Sequence, residues 1–416
     1  MNAAQVKSDS GASFGKGLMI ASVLIVCIAS VLTGTFPLTR LTPSFYRIGM
    51  FDWPIFIEAA KRFIDTGSLY YSDASLYGPN APVYKFPPLF ASILIKLLQS
   101  GLSEASLRYG MGVAHLAAYF GAIIIALKLS ESGNKFFLYA TAFVFVATFE
   151  PFIDNFIGLQ LEVFILLLLC VCMYCLIKNL PAMAGVMIGI AISLKLYPVF
   201  FCLYFLLQKQ YRGLMGVTLG LLLSTIFSIA VISYEQHWLY YTKIAPLFLF
   251  EPIYASRQNV SINNVIYHLG WEGPCPGLAG YLVFLTGISV LFFFRQKNSS
   301  LDNQRSVLTA FSLLISTFVL GTNNSWGNYQ LLLALPVVTL LGVSLGKKPF
   351  DLFSIITVVV ACMMIFLAPP HRLFFLGQVF FSGYEPSEDL FIYMRALASA
   401  LIFLVSAKLY CKVAYD

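Results

Sequence analysis

Long stretches without a single charge, such as Leu18 to Leu32 and Leu214 to Ile232, constrain this chain more than any other feature. Each approaches the roughly 20 apolar residues that cross the hydrocarbon core of a bilayer as a helix. Such stretches recur along all 416 residues, and charged side chains make up only 11% of the whole, against roughly 25% in soluble domains. A water-facing surface cannot be built from that supply. The fold class expected is therefore an all-α polytopic membrane protein.

Spans are expected at about 17–36, 109–128, 136–150, 158–177, 182–194, 196–207, 213–233, 277–294, 306–321, 329–345, 351–368 and 390–410, about 12 transmembrane helices in all. No small-residue cleavage site follows the first run, which reads as a retained signal anchor. Phe86 to Leu98 is short, opens on Pro87 and Pro88 and carries Lys96, so it is read as an interfacial helix. With that reading nearly all basic clusters fall on one side: Lys7/Lys16, Lys128/Lys135, Lys178, Lys209/Arg212, Arg295/Lys297/Arg305, Lys347/Lys348 and Lys408/Lys412. By the positive-inside rule that side is the cytoplasm, and both termini lie there. The net charge of +7 is thus a matter of topology, and no nucleic-acid partner is expected.

The chain reads as a single transmembrane domain, 1–416, with three exoplasmic loops at 37–107, 234–276 and 369–389. The eight cysteines show neither a disulfide framework nor zinc spacing, and Cys172-x-x-Cys175 reads as core packing inside a span. No metal or cofactor is expected. Asn259-Val260-Ser261 matches a glycosylation acceptor in form, but is discounted as one.

The first loop carries Asp52 at the start of an amphipathic helix running through Ile55 to Ile64, followed by Asp65-Thr66-Gly67. Asp52 reads either as a helix cap, in keeping with Pro54 in the first turn, or as a working carboxylate. Lys61, Arg62, Lys85, Lys96 and Arg108 in and beside this loop favour the second reading, since cations at a membrane surface suit a phosphate-bearing lipid. Within the membrane, Glu162 and Lys195 are candidates because burial of charge there is costly. Lys195 precedes Tyr197-Pro198 between two short spans, and is either a snorkelling side chain or an anion site at a helix break. A polar turn, Asn323 to Tyr329, offers amides and aromatic rings suited to a sugar, or is a capped helical turn.

In order along the chain, Asp52 with its helix and Tyr70-Tyr71, Tyr84-Lys85-Phe86-Pro87-Pro88, Gly158-Leu159-Gln160, Lys195-Leu196-Tyr197-Pro198, Asn259-x-Ser261 and Ser325-Trp326-Gly327-Asn328-Tyr329 resemble the GT-C superfamily of membrane glycosyltransferases, most closely glycosyltransferase family 87. The resemblance implies an enzyme that moves one sugar, mannose or similar, with inversion, from a polyprenyl-phosphate donor to a lipid or glycan acceptor hydroxyl. It also implies a bacterial inner membrane with an exoplasmic site. Asp52 is then the general base. Lys195, Lys85, Arg62 and Arg257 hold the donor phosphate. Gln160, Glu162, Tyr84, Asn259, Ser261, Trp326, Asn328 and Tyr329 bind substrate. Asn328 stands where the family often has His, and Val260 where it often has Gln. Competing readings are a secondary transporter or lipid flippase, and an exoplasmic polysaccharide polymerase or ligase.

Overall fold

The computed structural model describes residues 52–73, 76–77, 82–130, 149–249, 259–271, 275–294, 303–346, 351–367 and 388–415. Among them the chain is helical throughout, with no strand and one isolated antiparallel bridge between Asn259 and Trp326. Five helices are long and apolar enough to cross a membrane: Glu104–Leu129, Tyr211–Ile229, Gln304–Gly321, Gly327–Leu345 and Asp389–Val413. A sixth crossing is formed if the bent pair Glu150–Gly158 and Glu162–Ile177 counts as one span. Shorter apolar helices occupy Pro181–Leu194, Tyr197–Leu207, Gly277–Phe293 and Leu352–Ile365. Helices occupy the positions of the expected spans among the described residues, but only five, or six with the bent pair, are long and apolar enough to cross, fewer than the sequence reading expects there. Residues 17–36 and most of 136–150 lie outside the described residues.

Two compact units divide the chain. In the unit formed by Ser44–Ala122 and Asp154–Tyr254, the first loop folds as Asp52–Thr66 and Pro88–Gln99. The second of these has 12 residues, about 18 Å of rise, too short to cross a bilayer. Alternation of apolar and charged residues along Asp52–Thr66 buries Trp53, Phe56, Ile57, Ala59 and Ala60 on one face.

The tightest packing in this unit joins Pro181–Leu194 to Tyr211–Ile229. It depends on glycines: a Cβ at Gly185 would stand 1.9 Å from the Gly213 carbonyl oxygen, and one at Gly216 would stand 2.0 Å from that of Ala182. Gly189 and Gly220 lie against Val217 and Val186 in the same way, at 2.4 and 2.5 Å. Without hydrophobic drive inside lipid, such backbone proximity is what holds helices together. The spacing Gly185-x-x-x-Gly189 carries that signal in the sequence.

The other unit, containing Ile123–Ile153 and the described residues after Ala255, centres on Asn303–Gly321, whose hydrophobic side chains are almost all buried. Ser312 and Thr339 pair their hydroxyls at 2.9 Å across to Ala334–Gly346, and Lys408 bonds Asp351 at 2.9 Å. Residues 368–387, which include nearly all of the expected third loop, are outside the described set.

Candidate functional site

The first unit gathers Asp52, Lys85, Gln160, Glu162 and Lys195 from four segments far apart in sequence. Aromatic packing fixes the first two. Phe56, one turn beyond Asp52, meets the edges of Phe86 and Phe90 with centroids 5.2 and 5.0 Å away, and that of Tyr84 at 6.1 Å. Tyr84 is buried, donates its hydroxyl to the Pro87 carbonyl at 2.9 Å and accepts from the Ala91 amide. Tyr70 donates to the Phe86 carbonyl at 2.7 Å. Lys85 is therefore held between two side chains with defined places. Such buried, bonded tyrosines satisfy both the apolar ring and the polar tip.

Gln160 and Glu162 come from a sharp break. The helices Glu150–Gly158 and Glu162–Ile177 are bent by 120°. The first ends in a left-handed residue with the Gln160 amide bonded back to the Asn155 carbonyl and the Leu159 amide to Phe156, a Schellman arrangement. Its left-handed position is taken by Leu159, at φ 51°, although Gly158 is next to it. A branched side chain is there at a cost of about 1 kcal/mol, offset because Leu159 is fully buried.

The break puts Glu162 in the first turn of its helix and Lys195 at the C-terminal cap of Pro181–Leu194. Each charge is at the helix end whose dipole favours it. Both are buried, and they form an ion pair. Lys195 adopts an extended backbone, with φ −147° and ψ 146°, where Pro198 opens a short 3₁₀ turn. Its ammonium also stands 4.9 Å from the centre of the Phe86 ring. The second carboxylate oxygen of Glu162, Oε2, is buried with no hydrogen-bond partner among the described residues.

Asp52, half-buried, lies within the field of this pair. Its carboxyl is raised from the ordinary 3.8 to about 6 on balance, with burial the largest cause. Lys195 pulls it back down, Glu162 pushes it up, and a hydrogen bond from the Gln160 side chain and the charge of Lys85 lower it again. The result is a carboxylate that is ionised at neutral pH yet keeps appreciable affinity for a proton, the property wanted of a general base. Gln160, Lys85 and Phe86 are half-buried too, so the cluster is not sealed.

In the second unit the structure joins two other predicted elements. The Asn259 side chain accepts from the amides of Ser261 and Ser325 and donates to the Asn323 carbonyl at 3.1 Å. Val260 donates its amide to the Ser325 carbonyl at 2.7 Å. Ser261 caps Ile262–His268 and donates its hydroxyl to Asn323. Asn259 and Ser261 are wholly buried, so the fold leaves no room for a glycan on the formal acceptor. Trp326, Asn328 and Tyr329 are half-buried beside this network, and the Tyr329 ring packs on Phe318 at 5.8 Å.

Arg62 is engaged elsewhere: its guanidinium donates to the carbonyls of Ser68 and Leu69 and lies 3.9 Å over the Tyr71 ring, fastening the end of its helix. Arg257 lies outside the described residues. His115, within Glu104–Leu129, is a buried neighbour of the cluster absent from the sequence reading. As a lone ionisable residue inside an expected span it met the same rule that singled out Glu162 and Lys195. Among the described residues no three His, Cys, Asp or Glu side chains gather as a metal site.

Helices of this length and apolarity, with costly charges collected at two broken ends, define an integral membrane protein with an acid–base and cationic cluster. Comparison with known proteins narrows that class. The chain belongs to glycosyltransferase family 87, which it matches over residues 84–321, so the family resemblance read from the sequence is borne out. Asp52 precedes the matched region. Over 211 residues the chain is 26% identical to the polyprenol-phosphate-mannose-dependent alpha-(1-2)-phosphatidylinositol mannoside mannosyltransferase of Mycobacterium tuberculosis (strain ATCC 25618 / H37Rv). That alignment covers 47% of this chain and 48% of the relative, about half the length of each. No solved structure matches.

Proposed function

We propose that the protein is an inverting glycosyltransferase that uses a polyprenyl-phosphate sugar, mannose or a close relative, and glycosylates a lipid- or glycan-linked hydroxyl on the exoplasmic side of a bacterial inner membrane. The observation that carries the reading is Asp52: a half-buried carboxylate, bonded by Gln160 and facing Lys195 and Lys85. The family membership and the donor named for the mycobacterial relative support the choice of a lipid-linked donor.

The chemistry assigns a task to each group. The acceptor hydroxyl oxygen attacks the anomeric carbon from the face opposite the phosphate, and the bond from that carbon to the phosphate oxygen breaks. Asp52 takes the hydroxyl proton as the new glycosidic bond forms. The polyprenyl phosphate leaves with its charge balanced by Lys195 and Lys85, already positioned before the reaction. Gln160 orients Asp52, and Glu162 holds Lys195 until the donor phosphate competes for it. In the other unit, Trp326, Asn328 and Tyr329 are by themselves candidates for sugar binding, while Asn259 and Ser261, wholly buried with their side chains engaged, serve to hold that polar turn. Arg62, with its guanidinium already engaged, is left out of the phosphate set.

The experiment is sugar transfer by purified protein from a synthetic polyprenyl-phosphate mannose, wild type against Asp52→Asn. The variant is expected to lose about 10²–10⁴-fold, the usual contribution of a general base. Undiminished transfer removes Asp52 from the role. Substrate flux in sealed proteoliposomes without any sugar transfer supports a transporter instead.

A further inference from the structure

We infer that His115 is a positioning residue for Asp52, acting through the backbone of Gln160; this rests on the reading of Asp52 as the base. The geometry is a relay of contacts across three segments. His115 lies in the middle of Glu104–Leu129 and is fully buried. Its Nε2 stands 2.7 Å from the carbonyl oxygen of Gln160, and its ring meets the edge of Phe164 at 4.9 Å. The side chain of the same Gln160 bonds Asp52. One imidazole therefore fixes the main chain from which the partner of the base extends.

That main chain is where outside support has most effect. Gln160 follows Leu159, which is held left-handed in the break between two helices. At such a break the carbonyl of Gln160 is beyond the regular helix ladder: the Phe164 amide, four residues on, bonds Leu161 instead. Buried carbonyls require a donor, and with the proton on Nε2 the imidazole provides one. The neutral ring has one proton to donate, so only one of its two carbonyl contacts is a hydrogen bond. The Met111 carbonyl, 2.9 Å from Nδ1 and one turn back within the helix, has a backbone amide of that helix as its donor, whereas the Gln160 carbonyl lies beyond the ladder, which assigns the proton to Nε2. Remove the donor, and the Gln160 carbonyl turns to find another, carrying its side chain away from Asp52.

The prediction is specific because Gln160 favours the ionised form of Asp52. Loosening Gln160 leaves burial, Lys195, Glu162 and Lys85 in place but removes one pull toward ionisation, so the acid limb of the pH–rate profile moves upward. His115→Phe keeps an aromatic ring against Phe164 and deletes the donor. It is expected to lower kcat about tenfold, to leave the donor KM within about twofold, and to raise the acid limb of kcat/KM by about half a pH unit from near 6. His115→Gln, whose amide nitrogen falls near the place of Nε2, is expected to restore both. Gln160→Ala should show the same raised limb, and adding His115→Phe to it should change nothing further.

An unmoved acid limb in His115→Phe overturns the inference, as does additivity of the two substitutions. If His115→Phe does not fold, His115→Asn against His115→Gln carries the test: the shorter amide must move the limb and the longer must not, and equal profiles overturn it. Asp52→Asn separates the two levels. Full activity there removes the base assignment itself, whereas inactive Asp52→Asn with an unaffected His115→Phe removes only the role of His115.

Discussion

Replacing Asp52 with Asn should make the protein more stable at neutral pH while disabling it. The magnitude comes from the proton affinity of the carboxyl. Burial and its neighbours raise Asp52 from 3.8 to about 6, a difference of about 2 units, and each unit corresponds to about 1.4 kcal/mol. Ionised Asp52 therefore costs the folded state about 3 kcal/mol, an upper figure because the carboxylate keeps some contact with water. Since the folded value lies above the unfolded one, the folded protein binds the proton more tightly. Stability from this group is full below about pH 4, falls as pH rises toward 6 and stays low above that. An amide has no proton to lose. Chemical denaturation in detergent micelles should thus find Asp52→Asn more stable than wild type by up to about 3 kcal/mol at pH 7.5, and equal to it at pH 4. A gain of the same size at both pH values, or a loss at pH 7.5, refutes the argument that burial of charge is what raises Asp52.

Other outcomes follow from the same geometry. Gly185→Ala places a methyl 1.9 Å from the Gly213 carbonyl, so the two helices must part by about an ångström or more, at about 1–3 kcal/mol; Gly110→Ala, with nothing within 4 Å, should be neutral or slightly stabilising in the same chemical denaturation. Lys195→Met leaves Glu162 buried and unpaired and should destabilise by about 3–5 kcal/mol, while Lys195→Met combined with Glu162→Gln should recover most of the stability and none of the transfer activity; recovered activity excludes Lys195 from phosphate binding. Leu159→Gly relieves a left-handed backbone but empties a buried site, and the loss of about 2–5 kcal/mol from packing should outweigh the roughly 1 kcal/mol gained. A net gain in denaturation free energy contradicts the view that burial holds that residue in place.

Much of the architecture was legible because membrane helices advertise themselves by length and apolarity. Tyr211–Ile229 and Glu388–Tyr415 lie where hydropathy put them. The first helix of the loop begins at Asp52, and its buried face starts at Trp53, two residues before the Ile55 from which the stripe was read in the sequence. A short turn was expected near Glu150 to Gln160, between the spans 136–150 and 158–177; what was not legible is that Glu150–Gly158 is itself helical and that the left-handed residue of the break is Leu159 and not the glycine that sequence rules favour. Lys195 and Glu162 stood out singly, but their pairing across 33 positions depends on two helix ends meeting, which no local pattern encodes. The junction of Asn259 with Ser325 is of the same kind. His115 shows a different failure. Its sequence signal, one titratable side chain in an apolar run, was present, and what gives it meaning is the Gln160 carbonyl 45 residues away.

The central claim is that Asp52 removes a proton from an acceptor hydroxyl as a sugar leaves a lipid phosphate. Its most direct measurement is the pH dependence of transfer from polyprenyl-phosphate mannose by the purified enzyme in a bilayer mimic, wild type beside Asp52→Asn. The account predicts wild-type kcat/KM rising with pH through about 6, and in Asp52→Asn a rate lower by about 10²–10⁴ with that rise abolished. An Asp52→Asn enzyme that retains wild-type rate, or the same rise through pH 6, contradicts it.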